Sequence, residues 1–130
     1  MTAKELEIVE TGALGDDVPV CAAVKFGDLV YLSGSIGNRH GALELVEGGM
    51  AAEARQALQH MGAALEAAGS AVDRVIKVNI YIVDMAEFAA LNEAYLEFFG
   101  GHRPARATVA VKELALGARV EIECVAAASG

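Results

Sequence analysis

An arginine on a strand otherwise built from alanine, threonine and valine is the chemical oddity of this chain. It is Arg106, within the stretch HRPARATV of residues 102–109. A guanidinium is planar, permanently charged and able to give two parallel hydrogen bonds to a carboxylate. On a strand it points either to a cross-strand ion pair or to recognition of a small acid. The acids that could face it lie in the last strand-like stretch, VEIECVA, where Glu121 and Glu123 alternate with Val120, Ile122 and Cys124. Alternation puts the two glutamates on one face and the apolar set on the other. The same rule applied to residues 105–111 turns Ala107, Val109 and Val111 toward the core. It turns Arg106, Thr108 and Ala110 outward with the acids. Arg106 and a glutamate are therefore expected on one face of a sheet, either as a surface ion pair or as two halves of a site.

Other chemistry finds little support. His40, His60 and His102 have no metal-ligand spacing with one another or with Cys21 and Cys124, so no metal is expected. Both cysteines stand in apolar surroundings and read as buried free thiols. A net charge of −8, with no local cluster of Lys and Arg, argues against a nucleic-acid partner. The longest apolar runs are short and interrupted, which excludes a membrane span, and the start MTAKELEIVE lacks the pattern of a signal peptide. A cytoplasmic protein is the expectation.

At 130 residues, 55% of them hydrophobic, the chain is long enough for one domain, residues 1–130, with a substantial core. Met50, Ala54, Leu58, Met61, Leu65 and Ala68 recur at helical spacing, Glu53 is read on the polar side, and Gly69 is placed to stop the helix. A second helix opens at Asp84, with Glu87 as a capping partner, carries Phe88, Leu91, Tyr95 and Phe98 on one stripe, and ends at Gly100. VCAAVKF and DLVYLSGSI flank Gly27 and Asp28 as a hairpin, and VIKVNIYIV (75–83) alternates as a strand. Two further strands close the chain, a weak one is possible at LEIV, and 37–49 reads as a loop. The order predicts an α+β fold in which both helices cover one face of a mixed sheet. The other face then needs solvent or a second subunit, and a homo-oligomer is the economical reading.

With these elements in place the sequence resembles the RidA/YjgF family, named for reactive-intermediate deaminase. The resemblance runs from about residue 18 onward. It rests on VKFGDLVYLSGSIG, the GALELVEGG loop, the long block from ARQALQHMG to NEAYLEFF, HRPARATVAV and VEIECVA, all in order. It implies a chorismate-mutase-like subunit assembled as a homotrimer, with sites in the clefts between subunits. The implied activity is hydrolysis of enamines and imines of 2-amino acids to 2-keto acids and ammonia, without a cofactor. By the same resemblance Arg106 is the carboxylate-binding arginine and Glu121 the water-positioning acid. Ser33 and Gly34 match the serine–glycine turn, Asn92 the asparagine of the second helix, and Thr108 a position where relatives carry Cys, Ser or Thr. Val20 departs from the pattern, standing where relatives have tyrosine, as does Cys21 for serine. Val20 opens the alternative of a pathway-specific deaminase with an aminomuconate-like substrate. A non-catalytic binder of small carboxylates is the other alternative, and retention of Glu121 beside Arg106 favours the enzyme.

Overall fold

The computed structural model describes residues 5–129. Its elements are β1 (Leu6–Val9), β2 (Ala23–Phe26), β3 (Leu29–Leu32), α1 (Gly49–Ala67), β4 (Val75–Ile82), α2 (Phe88–Phe99), β5 (Ala105–Ala110) and β6 (Val120–Ala127), with three short 3₁₀ turns between them. The six strands form one sheet in the order β1-β2-β3-β6-β4-β5, and only β4 and β5 run parallel. β6 is antiparallel to both β3 and β4, so those two point the same way across it. Each helix is thus a crossover between strands of like direction: β3 to β4 through α1, and β4 to β5 through α2. Two right-handed crossovers advancing in one direction place both helices on the same face. The mixed α+β sheet with two helices on one side is the architecture expected from the element order.

Local chemistry explains the boundaries. α1 is rich in alanine and ends in a Schellman turn: Gly69, at φ 76°, gives its N–H to Glu66 O at 3.1 Å, and Ser70 N reaches Leu65 O at 2.8 Å. Glycine suits that left-handed position because it carries no Cβ. Asp84 caps, but the turn it caps is the 3₁₀ segment Met85–Glu87, through Ala86 N to Oδ1 at 3.0 Å. The Glu87 side chain does not return to Asp84; it accepts from Arg119 Nη1 at 3.1 Å instead.

The core lies between sheet and helices. Val30, Leu58, Met61, Leu65, Val78, Ile80, Ile82, Leu91, Val120 and Ile122 are fully buried, each contributing about 1.5–3 kcal/mol on the usual scale. Glu53 corrects the sequence reading. It is not on the solvent side of α1 but buried, accepting Arg119 N at Oε1 (2.9 Å), with the Arg119 Nε 3.5 Å from Oε2. An acid can sit there because Arg119, at the mouth of β6, supplies both a backbone donor and a charge. Cys124 is buried as expected, whereas Cys21 is only half-buried.

No helix among the described residues covers the opposite face of the sheet. Leu6, Ile8, Phe26, Leu29 and Tyr31 are exposed there across β1 to β3, Leu6 by 68% and Tyr31 by 49%. The polar residues Asn79, Tyr81, Glu121 and Glu123 occupy its centre.

Candidate functional site

The register of β5 decides where Arg106 points. Arg106 pairs with Val78 and Thr108 with Ile80 in the parallel ladder, so their side chains share the face of Val78 and Ile80, which are buried under the helices. The outward orientation expected for Arg106, Thr108 and Ala110 is therefore wrong. Ala107 and Val109 are the residues on the open face, beside Asn79 and Tyr81. Parity failed because β5 is an edge strand. Its helix-side row emerges at the rim beneath α2, where a charged head can still reach solvent. Its other row meets the open face, which is itself apolar.

At that rim α2 builds a clamp. The guanidinium carbon of Arg106 lies 4.5 Å from the centre of the Tyr95 ring and 5.4 Å from that of Phe88, a cation–π arrangement that fixes the plane of the fork. Nε donates to Thr108 Oγ1 at 2.8 Å, which leaves the Nη edge free of the strand. Nη2 is buried and has no hydrogen-bond partner among the described residues, and the same is true of Asn92 Oδ1. Asn92 follows Phe88 by four residues and precedes Tyr95 by three, so it lies on the stripe that flanks the arginine. No carboxylate among the described residues lies within ion-pair distance of Arg106, although Arg39, Arg55 and Arg119 each have one. Burial lowers the affinity of the Arg106 guanidinium for its proton; a desolvated cation with a free fork is an anion receptor.

Glu121 belongs to the other side. It pairs with Tyr81 on the open face, two strands from β5. Its carboxylate rests on Gly34: a Cβ added there would collide with Oε2 and lie 2.9 Å from Cδ. The approach depends on a bulge. Tyr31 faces Val125 while Ser35 bridges to Ile122, so four residues on one strand span three on the other, and Ser33–Gly34 bulges toward the acid. Ser33 Oγ donates to Cys21 O at 2.6 Å, tying the bulge to the segment before β2. Val20, Cys21, Ser33 and Gly34 line one cavity together with residues 10–15 and His60. Burial first, and then the charge of neighbouring Glu123, push the Glu121 carboxyl above the usual carboxylate range.

One chain therefore holds two candidate half-sites. Arg106, Thr108 and Asn92 converge on the helix face. On the other side Glu121 lies against Gly34, which with Ser33 also lines the cavity that holds Val20. The sheet separates them, and the shared face expected for Arg106 and Glu121 does not exist within a subunit. The clamp of Phe88 and Tyr95 was missed as part of the site, since both residues read only as the apolar stripe of α2. Their position on the crossover helix leading into β5 was the available signal.

A model of the family described as Endoribonuclease L-PSP matches residues 13–128. The 2-iminobutanoate/2-iminopropanoate deaminase of Dermatophagoides farinae is 46% identical over 107 residues, covering 82% of this chain and 84% of that protein. The protein of the same name from Homo sapiens is 42% identical over 115 residues, covering 88% and 82%. Among solved structures, RidA from an Antarctic Psychrobacter superimposes with a TM-score of 0.86 at 35% identity, covering 93% of this chain and 98% of that one.

Proposed function

This chain belongs to the endoribonuclease L-PSP family, that of the RidA proteins, and on that premise we propose that it is an enzyme hydrolysing reactive enamines and imines of 2-amino acids to 2-keto acids and ammonia. The observation that carries the reading is Arg106, a clamped and desolvated guanidinium with a buried Nη2 that no group among the described residues satisfies. A substrate carboxylate completes it. The ribonuclease sense of the family's description finds no physical support in a chain of net charge −8.

The chemistry follows from the two half-sites. Arg106, oriented by Thr108 and the rings of Phe88 and Tyr95, holds the carboxylate next to the imine carbon, with Asn92 Oδ1 as a neighbouring acceptor for the imine nitrogen. Glu121 accepts a proton from a water as the oxygen adds to the carbon of the protonated imine, forming a neutral tetrahedral aminoalcohol. Glu121 passes that proton to nitrogen and takes up the hydroxyl proton as the C–N bond breaks, the C=O bond forms and ammonia leaves. An imine carbon is already electrophilic, so the step draws on no cofactor. Roughly 3–5 kcal/mol of barrier reduction gives a few hundred- to a few thousand-fold acceleration.

In this reading the unit of activity is a cytoplasmic, chorismate-mutase-like homotrimer. Two features support assembly: the apolar open face, and a site whose halves stand on opposite sides of one sheet. A cleft between subunits unites Arg106 of one copy with Glu121 of the next. No helix among the described residues is long and apolar enough to cross a membrane.

The test is direct. Added to an enzyme that releases 2-iminopropanoate or 2-iminobutanoate from serine or threonine, the protein accelerates keto-acid and ammonia formation above the spontaneous rate. Equal rates with and without it, alongside intact binding of 2-keto acids, would make the protein a binder. One observation favours a more specialised enzyme: Val20, 51% exposed, leaves an apolar, hydroxyl-free wall beside Ser33 and Gly34. A preference for bulkier, aminomuconate-like imines over 2-iminopropanoate would select that reading.

A further inference from the structure

Beside Glu121 the open face carries a second acid, and we propose that Glu123, held by Tyr81, is a positioning residue that sets how strongly Glu121 takes up a proton. The inference rests on the reading of Glu121 as the acid that handles the attacking water. Glu121 and Glu123 alternate along β6, so both side chains leave the same face about 7 Å apart. Across the ladder Tyr81 stands opposite Glu121 and Asn79 opposite Glu123. The Tyr81 hydroxyl does not bond the acid it faces. It crosses diagonally and donates to Glu123 Oε1 at 2.7 Å, where Asn79 Nδ2 also reaches, at 3.4 Å.

The two glutamates are thereby treated differently. Glu123 receives two donors on one oxygen, which pins its carboxylate at a fixed place beside Glu121. Glu121 has no side-chain donor among the described residues and lies half-buried against Gly34. Further along the same face Lys77 on β4 and Tyr31 on β3 both stand opposite Val125, and neither bonds or pairs with either glutamate. The charge next to Glu121 is thus that of Glu123, and like charge at this range favours the protonated acid. The upward shift of the Glu121 carboxyl, from burial first and Glu123 second, agrees. A carboxylate with higher proton affinity accepts the proton of the adding water more readily at neutral pH.

The experiment is the pH dependence of the enzyme-catalysed hydrolysis of 2-iminopropanoate, corrected for the spontaneous rate, together with a carboxyl NMR titration of Glu121 that needs no substrate. Glu123→Gln moves both the rising limb of kcat and the Glu121 titration to lower pH, and it lowers the plateau. The affinity for a 2-keto acid stays as in the wild type, because Arg106 is untouched. Glu123→Asp retains the charge and recovers part of the shift. Tyr81→Phe leaves the charge without its donor and moves the titration upward, opposite to Glu123→Gln. A Glu121 titration unmoved in Glu123→Gln, or moved the same way by both Glu123→Gln and Tyr81→Phe, overturns the proposal. Wild-type protein inactive at every pH overturns the deaminase reading instead, and the titration still decides the coupling.

Discussion

At the scale of single residues the proposed mechanism divides recognition from chemistry. Arg106 has a clamp, a donor contact to Thr108 and a buried, unsatisfied Nη2, and in the proposed reading these serve to receive an anion. Glu121 has a raised proton affinity and a glycine to lie on. Arg106→Ala removes two charge-assisted hydrogen bonds, at about 1.5–3 kcal/mol each. It should weaken 2-keto-acid binding in a calorimetric titration by roughly a hundred-fold or more and abolish turnover. Arg106→Lys should rescue little, because an ammonium neither donates in parallel nor lays a planar group against Tyr95 and Phe88. Glu121→Gln should keep that binding and lose on the order of 10²-fold in kcat, most of the acceleration. Loss of binding in Glu121→Gln would mean that the acid is part of the receptor and not of the proton transfer.

At the scale of elements two connections position the site. The crossover through α2 lays Phe88, Asn92 and Tyr95 over the edge strand that carries Arg106. The bulge at Ser33–Gly34 brings backbone against Glu121, where a regular strand would keep the distance of a normal pair. Gly34→Ala tests the bulge. Its Cβ would displace the Glu121 carboxylate, and a flexible, half-buried side chain can yield without unfolding the core. The expected outcome is a fall in kcat comparable to that of Glu121→Gln, with a thermal midpoint within a few degrees of the wild type. Unchanged activity would remove the contact from the mechanism.

At the scale of the whole molecule the candidate site is divided by the sheet of one subunit. Arg106 and Glu121 stand on opposite faces of the sheet, and no side-chain rotation brings them together. If a cyclic trimer joins them, Arg106→Ala and Glu121→Gln subunits, each inactive alone, should complement when refolded as an equal mixture. Random assembly leaves about one quarter of the clefts with both native residues, so the mixture should recover about that fraction of wild-type activity. No recovery, with mixed trimers verified by mass spectrometry, would place the whole site within one subunit. Sedimentation of dilute protein as a stable folded monomer would remove the assembly altogether.

Much of this was legible in the chain. The periods of α1, α2 and β4 are strong because each element has one face against a single core, and Gly69 and the Gly27–Asp28 turn mark their own ends. Motif order carried the family and the identity of the candidate residues. The face of β5 was not legible, because an edge strand beneath a crossover helix has no solvent side to set its parity. Nor was the burial of Glu53, whose partner Arg119 lies 66 residues away, or the Tyr81–Glu123 contact across the ladder. Hydrophobic pattern reports burial along one element. Which element covers which face, and therefore whether a charge meets a partner, a ring or an open cleft, is a property of strand order and register that only the tertiary structure decides.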